Sequence, residues 1–225
     1  MRHAFALIML ICAATLNACS QTPADSLDNH YADLDPGTDV FIRIFKKENE
    51  LELWLKPEAK AAYALAEVFP ICRWSGDLGP KLREGDGQSP EGFYRVRLGS
   101  LNPNSSYHLS FNLGFPNRYD RSHGRTGSYL MVHGACASIG CYAMTDPRIE
   151  KIYAAVEHAL ENGQDAVSVH IFPFRMTDQA MIDLGDHPWV DFWINLKQGY
   201  DMFEVTRRVP KVSVDEKRYT FEEAL

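Results

Sequence analysis

The stretch from Tyr129 to Pro147 constrains this chain more than any other part of it. Tyr129-Leu130-Met131-Val132 reads as a short strand that delivers His133 onto Gly134. A loop of small residues, Ala135-Cys136-Ala137-Ser138, then leads to the pair Gly140-Cys141. Asp146-Pro147 follows and supplies a helix N-cap and a first-turn proline. A fold must therefore gather a strand end, a tight loop and a helix start in one place. Small residues permit close backbone approach and leave amide N–H groups free to point at a substrate oxygen. A histidine eight residues before a cysteine can fold back over it, accept the thiol proton and hold an imidazolium–thiolate pair. Those groups suffice for acyl transfer.

The same residues admit other readings. Cys141 can be a buried apolar side chain or half of a disulfide. The spacing His-x2-Cys-x4-Cys from His133 can hold a structural metal, with His123 or Cys72 as the fourth ligand. No CxxC pair is present, which weakens that reading, and neither a metal nor another cofactor is expected.

Around this centre the patterning is mostly β. Val40 to Phe45 and Leu51 to Leu55 alternate about Lys46-Lys47-Glu48-Asn49 and predict a hairpin. Phe93 to Leu98 and Tyr107 to Phe111 alternate too, as do Val167, Val169 and Ile171. Glu58 to Val68 has local helical character, whereas Val68 to Ile71 has strand character. Between Asp146 and Gly163, Ile149, Ile152, Tyr153, Val156 and Leu160 recur at helical spacing. From Thr177 the chain reads as helical, with Trp189, Phe192, Trp193 and Leu196 on one packing stripe and Gly199 as its stop. The expected class is mainly β with helices, that is α+β. His30, His108, His158, His170 and His187 are read as surface or satisfied polar residues. The Gly85-Asp86-Gly87-Gln88 segment has neither phosphate-loop nor dinucleotide spacing and reads as a turn at the rim of a cleft.

The first residues are read as outside the fold. Met1-Arg2-His3 is a basic start and Ala4 to Ala14 is almost wholly apolar, too short to span a bilayer but fitting an export signal. It closes on Leu16-Asn17-Ala18-Cys19, which resembles a bacterial lipobox with Asn17 as a loose fit, and a soluble product cleaved near Ala18 is the alternative. Residues 1–18 are thus expected to be a lipoprotein signal, with Cys19 lipidated. Residues 19–38, with Pro23, Pro36 and Gly37, are expected to be a tether. Residues 39–225 are expected to form one catalytic domain. Ser20 after Cys19 resembles proteins sent to the outer membrane, so the expected location is the periplasmic side of the envelope. The net charge of −7 argues against a nucleic-acid partner.

His133-Gly134 followed by Ser138-Ile139-Gly140-Cys141 resembles the signature of the YkuD-type L,D-transpeptidases, cysteine enzymes that act on peptidoglycan stem peptides. Their usual Ser-His-Gly-Cys-(Ile/Val)-Arg is here Ser138-Ile139-Gly140-Cys141-Tyr142-Ala143, so a histidine and an arginine are replaced. The variant is similar to the YafK-like branch, and the similarity runs on through Ser75 to Lys81, Ser89 to Tyr94, Gly114 to Asn117 and Phe172 to Asp178.

The resemblance implies a YkuD-like β-sandwich in which Cys141 is the nucleophile and His133 the proton acceptor and donor. It further implies that the Gly134 carbonyl orients His133 and that N–H groups around Gly140 and Cys141 form the oxyanion hole. With the arginine absent, Arg121 or Arg125 would anchor substrate, while His123 and Ser138 would border it. Ser138 is also read as shaping the loop by a hydrogen bond. The count of mature thiols suggests that Cys72 pairs with Cys136 and leaves Cys141 free. Implied partners are peptidoglycan stem peptides and a murein-bound lipoprotein, with the outer membrane reached through the lipid anchor. Implied reactions are hydrolysis of the peptidoglycan–lipoprotein amide at meso-diaminopimelate or transpeptidation. A catalytically silent murein-binding role is a third reading, which retention of both Cys141 and His133 disfavours.

Overall fold

The computed structural model describes residues 30–58 and 60–224. The expected N-terminal signal, Cys19 and the first part of the expected tether lie outside these residues. In chain order the described elements are β1 (Asp39–Phe45), β2 (Glu50–Lys56), β3 (Ala64–Pro70), β4 (Gly92–Val96), β5 (Leu101–Ser105), β6 (His108–Asn112) and α1 (Arg118–Ser122). They continue with β7 (Met131–His133), β8 (Tyr142–Ala143), α2 (Asp146–Glu161), β9 (Val167–Phe172), α3 (Asp178–Ile182), α4 (Val190–Thr206), β10 (Lys211–Asp215) and β11 (Arg218–Glu222). One sheet has the order β3-β2-β1-β9-β4, a second the order β5-β6-β7-β8, and β10-β11 is a separate hairpin. The class is α+β, as the patterning predicts.

Strand β1 pairs antiparallel with β2 and parallel with β9. Alternation sends Val40, Ile42 and Ile44 to one face and Phe41, Arg43 and Phe45 to the other. Both faces are covered, which is why the strand is buried from Val40 to Phe45. The first face joins Ile149, Ile152, Val156 and Leu160 of α2, together with Phe111 and Val132 of the second sheet, in one cluster. At about 1.5–3 kcal/mol for each large apolar side chain buried, this cluster locks the two sheets and α2 together. The opposite face packs on α4, with Trp193, Leu196 and Tyr200 against Phe45, Phe93 and Phe172.

Several expectations are corrected here. The later part of the expected tether is packed: Tyr31 is 2% exposed and its hydroxyl donates to Glu67 Oε2 at 2.8 Å. Helical character in Glu58 to Val68 yields to a strand, because β3 completes the ladder of β2 and that pairing overrides local propensity. Thr145, rather than Asp146, caps α2, and the Asp146 carboxylate accepts from the Ala135 N–H at 2.7 Å instead. The helical stretch after Thr177 divides into α3 and α4.

Gly199 does not stop α4, which runs on to Thr206. A Cβ at Gly199 would lie 2.4 Å from Cε1 of Phe221, so the glycine admits a ring from β11. His170 is not a surface residue. It is buried between the rings of Phe41 and Phe93, its Nδ1 has no hydrogen-bond partner among the described residues, and burial lowers its pKa to about 3.

Candidate active site

Strands β7 and β8 run parallel, with Val132 opposite Tyr142 and His133 opposite Ala143. This register brings the end of β7 alongside Cys141, which immediately precedes β8. The Met131 N–H donates to Cys141 Sγ at 3.4 Å, and the thiol donates to the Tyr129 carbonyl at 3.7 Å. Among the described residues Cys141 is the free cysteine; it is half-buried, whereas His133 is buried. His133 Nδ1 lies 2.6 Å from the Gly134 carbonyl oxygen. A carbonyl only accepts, so Nδ1 carries the proton and the Nε2 lone pair is left for chemistry.

The loop between these residues is held at many points. Cys72 and Cys136 form a disulfide, with Cα atoms 5.5 Å apart, which ties the segment after β3 to the loop. That bond takes the sulfurs of Cys136 and Cys72, two of those the His-x2-Cys-x4-Cys metal reading would draw on, and leaves Cys141. Ala143 exchanges backbone hydrogen bonds with Arg73 and accepts another from Cys72. At Gly134 a Cβ would stand 2.6 Å from Asp146 Oδ1 and 2.7 Å from the Tyr107 carbonyl oxygen, so the bend after His133 needs glycine.

Three serines set the other end of the loop. Ser138 Oγ donates to the Cys141 carbonyl at 2.7 Å, and Ser89 Oγ to the same oxygen at 3.2 Å. The Gly140 N–H donates to Ser75 Oγ at 2.6 Å. Ser138 thus shapes the loop. The expectation for Gly140 is corrected: its amide is already engaged, which leaves the Cys141 N–H as the donor of the pair without an acceptor among the described residues. The role of Gly140 is conformational, since its φ of +102° is closed to most side chains.

The segment carrying Ser75 and Ser89 rests on buried charge. Lys46 Nζ donates to the carbonyls of Asp77, Gly79 and Ser89 and to Glu91 Oε1, and both side chains of the pair are fully buried. Lys81, also buried, pairs with Asp86 at 2.5 Å. Asp86 in turn accepts from the N–H groups of Leu82, Arg83 and Gln88. The turn at residues 85–88 is therefore built around one carboxylate, whose pKa falls to about 2 because these hydrogen bonds outweigh its burial.

Burial disfavours the charged form of both candidate residues. Burial pulls the His133 imidazole below its ordinary value of 6.5, with the Gly134 hydrogen bond opposing the shift. Burial likewise pushes the Cys141 thiol up, opposed by the Met131 N–H and the Lys81 charge. Both shifts run against the imidazolium–thiolate pair read from spacing.

The remaining candidates are engaged with other partners. Arg125 is buried, bonded to Asp120 at 2.9 Å and stacked over Tyr119 and Phe192, so it is a structural cation and not an exposed anchor. Arg121 is exposed and donates to the Pro116 carbonyl. His123 is exposed, stacks on Tyr119 and lines a surface cavity of about 480 Å³ with Trp189, Asp191 and Arg218. Sequence reasoning missed Ser75, Ser89, Lys81 and Tyr107. The first three lie in the quoted stretches Ser75 to Lys81 and Ser89 to Tyr94, and Tyr107 had no signal beyond strand alternation.

Residues 63–182 match the YkuD family model, described as an L,D-transpeptidase catalytic domain. A protein of Escherichia coli (strain K12) named "Putative L,D-transpeptidase YafK" is 46% identical over 226 residues, covering 97% of this chain and 91% of that protein. The same name and figures apply to its counterpart in Escherichia coli O157:H7. Among solved structures, the helical cell shape determining protein Pgp2 from Campylobacter jejuni is 19% identical with a TM-score of 0.49, over 83% of this chain and 81% of that one. The chain belongs to the YkuD family of L,D-transpeptidase catalytic domains.

Proposed function

We propose that this chain hydrolyses the amide linking a lipoprotein to the meso-diaminopimelate of peptidoglycan, through a thioester on Cys141. The observation that carries the reading is the parallel register of β7 and β8, which puts the free Cys141 thiol against the strand that ends in His133, whose Nδ1 is already held by Gly134. Membership of a peptidoglycan-acting family supplies the substrate class. Cys141 Sγ attacks the amide carbonyl as His133 Nε2 takes its proton. The tetrahedral oxyanion accepts from the Cys141 N–H. Collapse breaks the C–N bond, His133 returns the proton to the leaving amine, and a thioester remains. Water, deprotonated by His133, then releases the diaminopimelate carboxylate and restores the thiol.

In this reading the first residues export the chain, Cys19 carries lipid, and the domain works on the periplasmic side of the outer membrane. The test is incubation of a fragment beginning after Cys19 with lipoprotein-bearing sacculi, followed by mass spectrometry. Released lipoprotein ending in a free lysine supports hydrolysis. New diaminopimelate–diaminopimelate dimers would replace it with transpeptidation, and products identical to those of Cys141→Ala would leave only a binding role.

Burial of the pair sets a pH signature. A lowered imidazole pKa keeps His133 a competent base down to below pH 6.5. The acid limb of kcat/KM is therefore expected below that value, because protonation there removes the base. A profile whose acid limb lies above pH 6.5 would contradict the lowered imidazole pKa.

A further inference from the structure

The turn joining β5 to β6 takes no part in the steps above, yet its backbone is fitted against the catalytic bend. Ser105 pairs with His108, so Ser106 and Tyr107 form a two-residue turn, braced by the Tyr107 N–H donating to Ser105 Oγ at 3.1 Å. His108 adopts a φ of +70°, a costly conformation outside glycine, and its Nε2 meets Glu150 Oε1 of α2 at 2.7 Å. Gly134 completes the seat. A Cβ there would crowd both the Tyr107 carbonyl and His108 Cβ, and the Gly134 N–H donates to the Leu109 carbonyl at 3.1 Å. The glycine that orients His133 is therefore also the one on which the turn rests.

The consequence is a ring on a ring. The Tyr107 and His133 centroids lie 4.7 Å apart with planes tilted by 33°. Tyr107 is 48% exposed and His133 only 2%, so one surface of the phenol meets solvent while the other covers the imidazole. A half-exposed aromatic contributes little to the core, and this one is held in place by a strained residue and an anchored turn.

We propose that Tyr107 is a positioning residue for His133, its ring fixing the imidazole plane and excluding water from one side of it. This rests on His133 being the base of the proposed reaction. The contact is made by the ring rather than the hydroxyl, so phenylalanine should serve as well. Other polar and titratable groups stand on every element packed against β7: Cys141 ahead of β8, Asp146 at the start of α2, His108 of β6 with its partner Glu150 of α2, and Ser110 paired with His133 on β6. Lys81 acts on Cys141 from the preceding loop. Substitution of Tyr107 leaves all of them in place.

Two readouts on the exported chain and its variants test the idea. NMR follows the His133 imidazole through its titration, and kinetics on sacculi separate kcat from KM. The wild type and Tyr107→Phe are expected to titrate alike, below pH 6.5, with kcat values within about twofold. Tyr107→Ala is expected to move the titration up toward 6.5, as water reaches the ring, and to lower kcat by about ten- to a hundredfold with KM nearly unchanged. Tyr107→Leu keeps bulk without a flat ring and is expected to shift both readouts in the same direction, which serves if the alanine variant does not fold. A Tyr107→Phe protein that behaves like Tyr107→Ala would overturn the proposal, as would an alanine variant with wild-type titration and kcat. The titration needs no substrate. Wild-type inactivity on sacculi would therefore sink the reaction assigned above while Tyr107 is still judged by NMR.

Discussion

Cys141→Ala and His133→Ala are each expected to lower kcat on lipoprotein-bearing sacculi by about 10⁴-fold or more, and the double substitution by no more than either alone. The reason is that in the proposed mechanism the two side chains act as one unit. Without the thiol there is no atom to form the thioester, and the imidazole then has nothing to activate. Without the imidazole the thiol stays protonated, because burial has raised its pKa above the usual range. The amine would also leave without a proton. The Met131 N–H and the charge of Lys81 favour the thiolate but do not outweigh desolvation, so they cannot replace a base. Circular dichroism should show both single variants folded, since neither residue carries the disulfide or a core cluster. Additive losses in the double variant would mean that the two residues act in separate steps. Activity retained by Cys141→Ala would remove the thioester altogether.

What the sequence disclosed about this centre depended on chemistry and short range. His133, Gly134, Gly140 and Cys141 lie within nine residues and form a pattern that few structural roles require. Helix α2 was equally legible because its apolar face repeats through a full set of turns. Readings failed where a distant segment decides the local outcome. Gly199 looks like a stop until the ring of Phe221 arrives from β11. Arg125 looks like a free cation until α1 folds Asp120 beneath it and α4 brings Phe192. Ser75 and Ser89 bind groups more than fifty residues ahead in the chain, and no local spacing records such a partner. Lys46 sits in a hairpin turn, where exposure is the natural expectation, yet it is fully buried because the loop after Cys72 folds over it.

That buried lysine leads to the largest stability effect expected. Glu91→Ala should destabilise the fold by about 3–5 kcal/mol, because it strands the Lys46 ammonium without its counter-charge. At this chain length the loss corresponds to a fall in Tm of about 6–20 °C. Glu91 accepts from Lys46 Nζ and the Gly79 N–H through Oε1, and from Trp193 Nε1 through Oε2. Every partner is a donor, so Glu91→Gln is also expected to be costly: its amide NH2 must face one of them. The paired change Lys46→Met with Glu91→Leu should recover much of the loss, since the uncompensated charge goes with its partner. Thermal denaturation followed by circular dichroism decides the matter, and a loss under about 1 kcal/mol for Glu91→Ala would refute it. The effect should also reach catalysis without any contact with substrate. Lys46 and Glu91 fix the Gly79 and Ser89 backbone, and the Ser75 and Ser89 hydroxyls hold Gly140 and the Cys141 carbonyl. A charge pair on the far side of the loop thereby fixes the backbone that carries the Cys141 thiol.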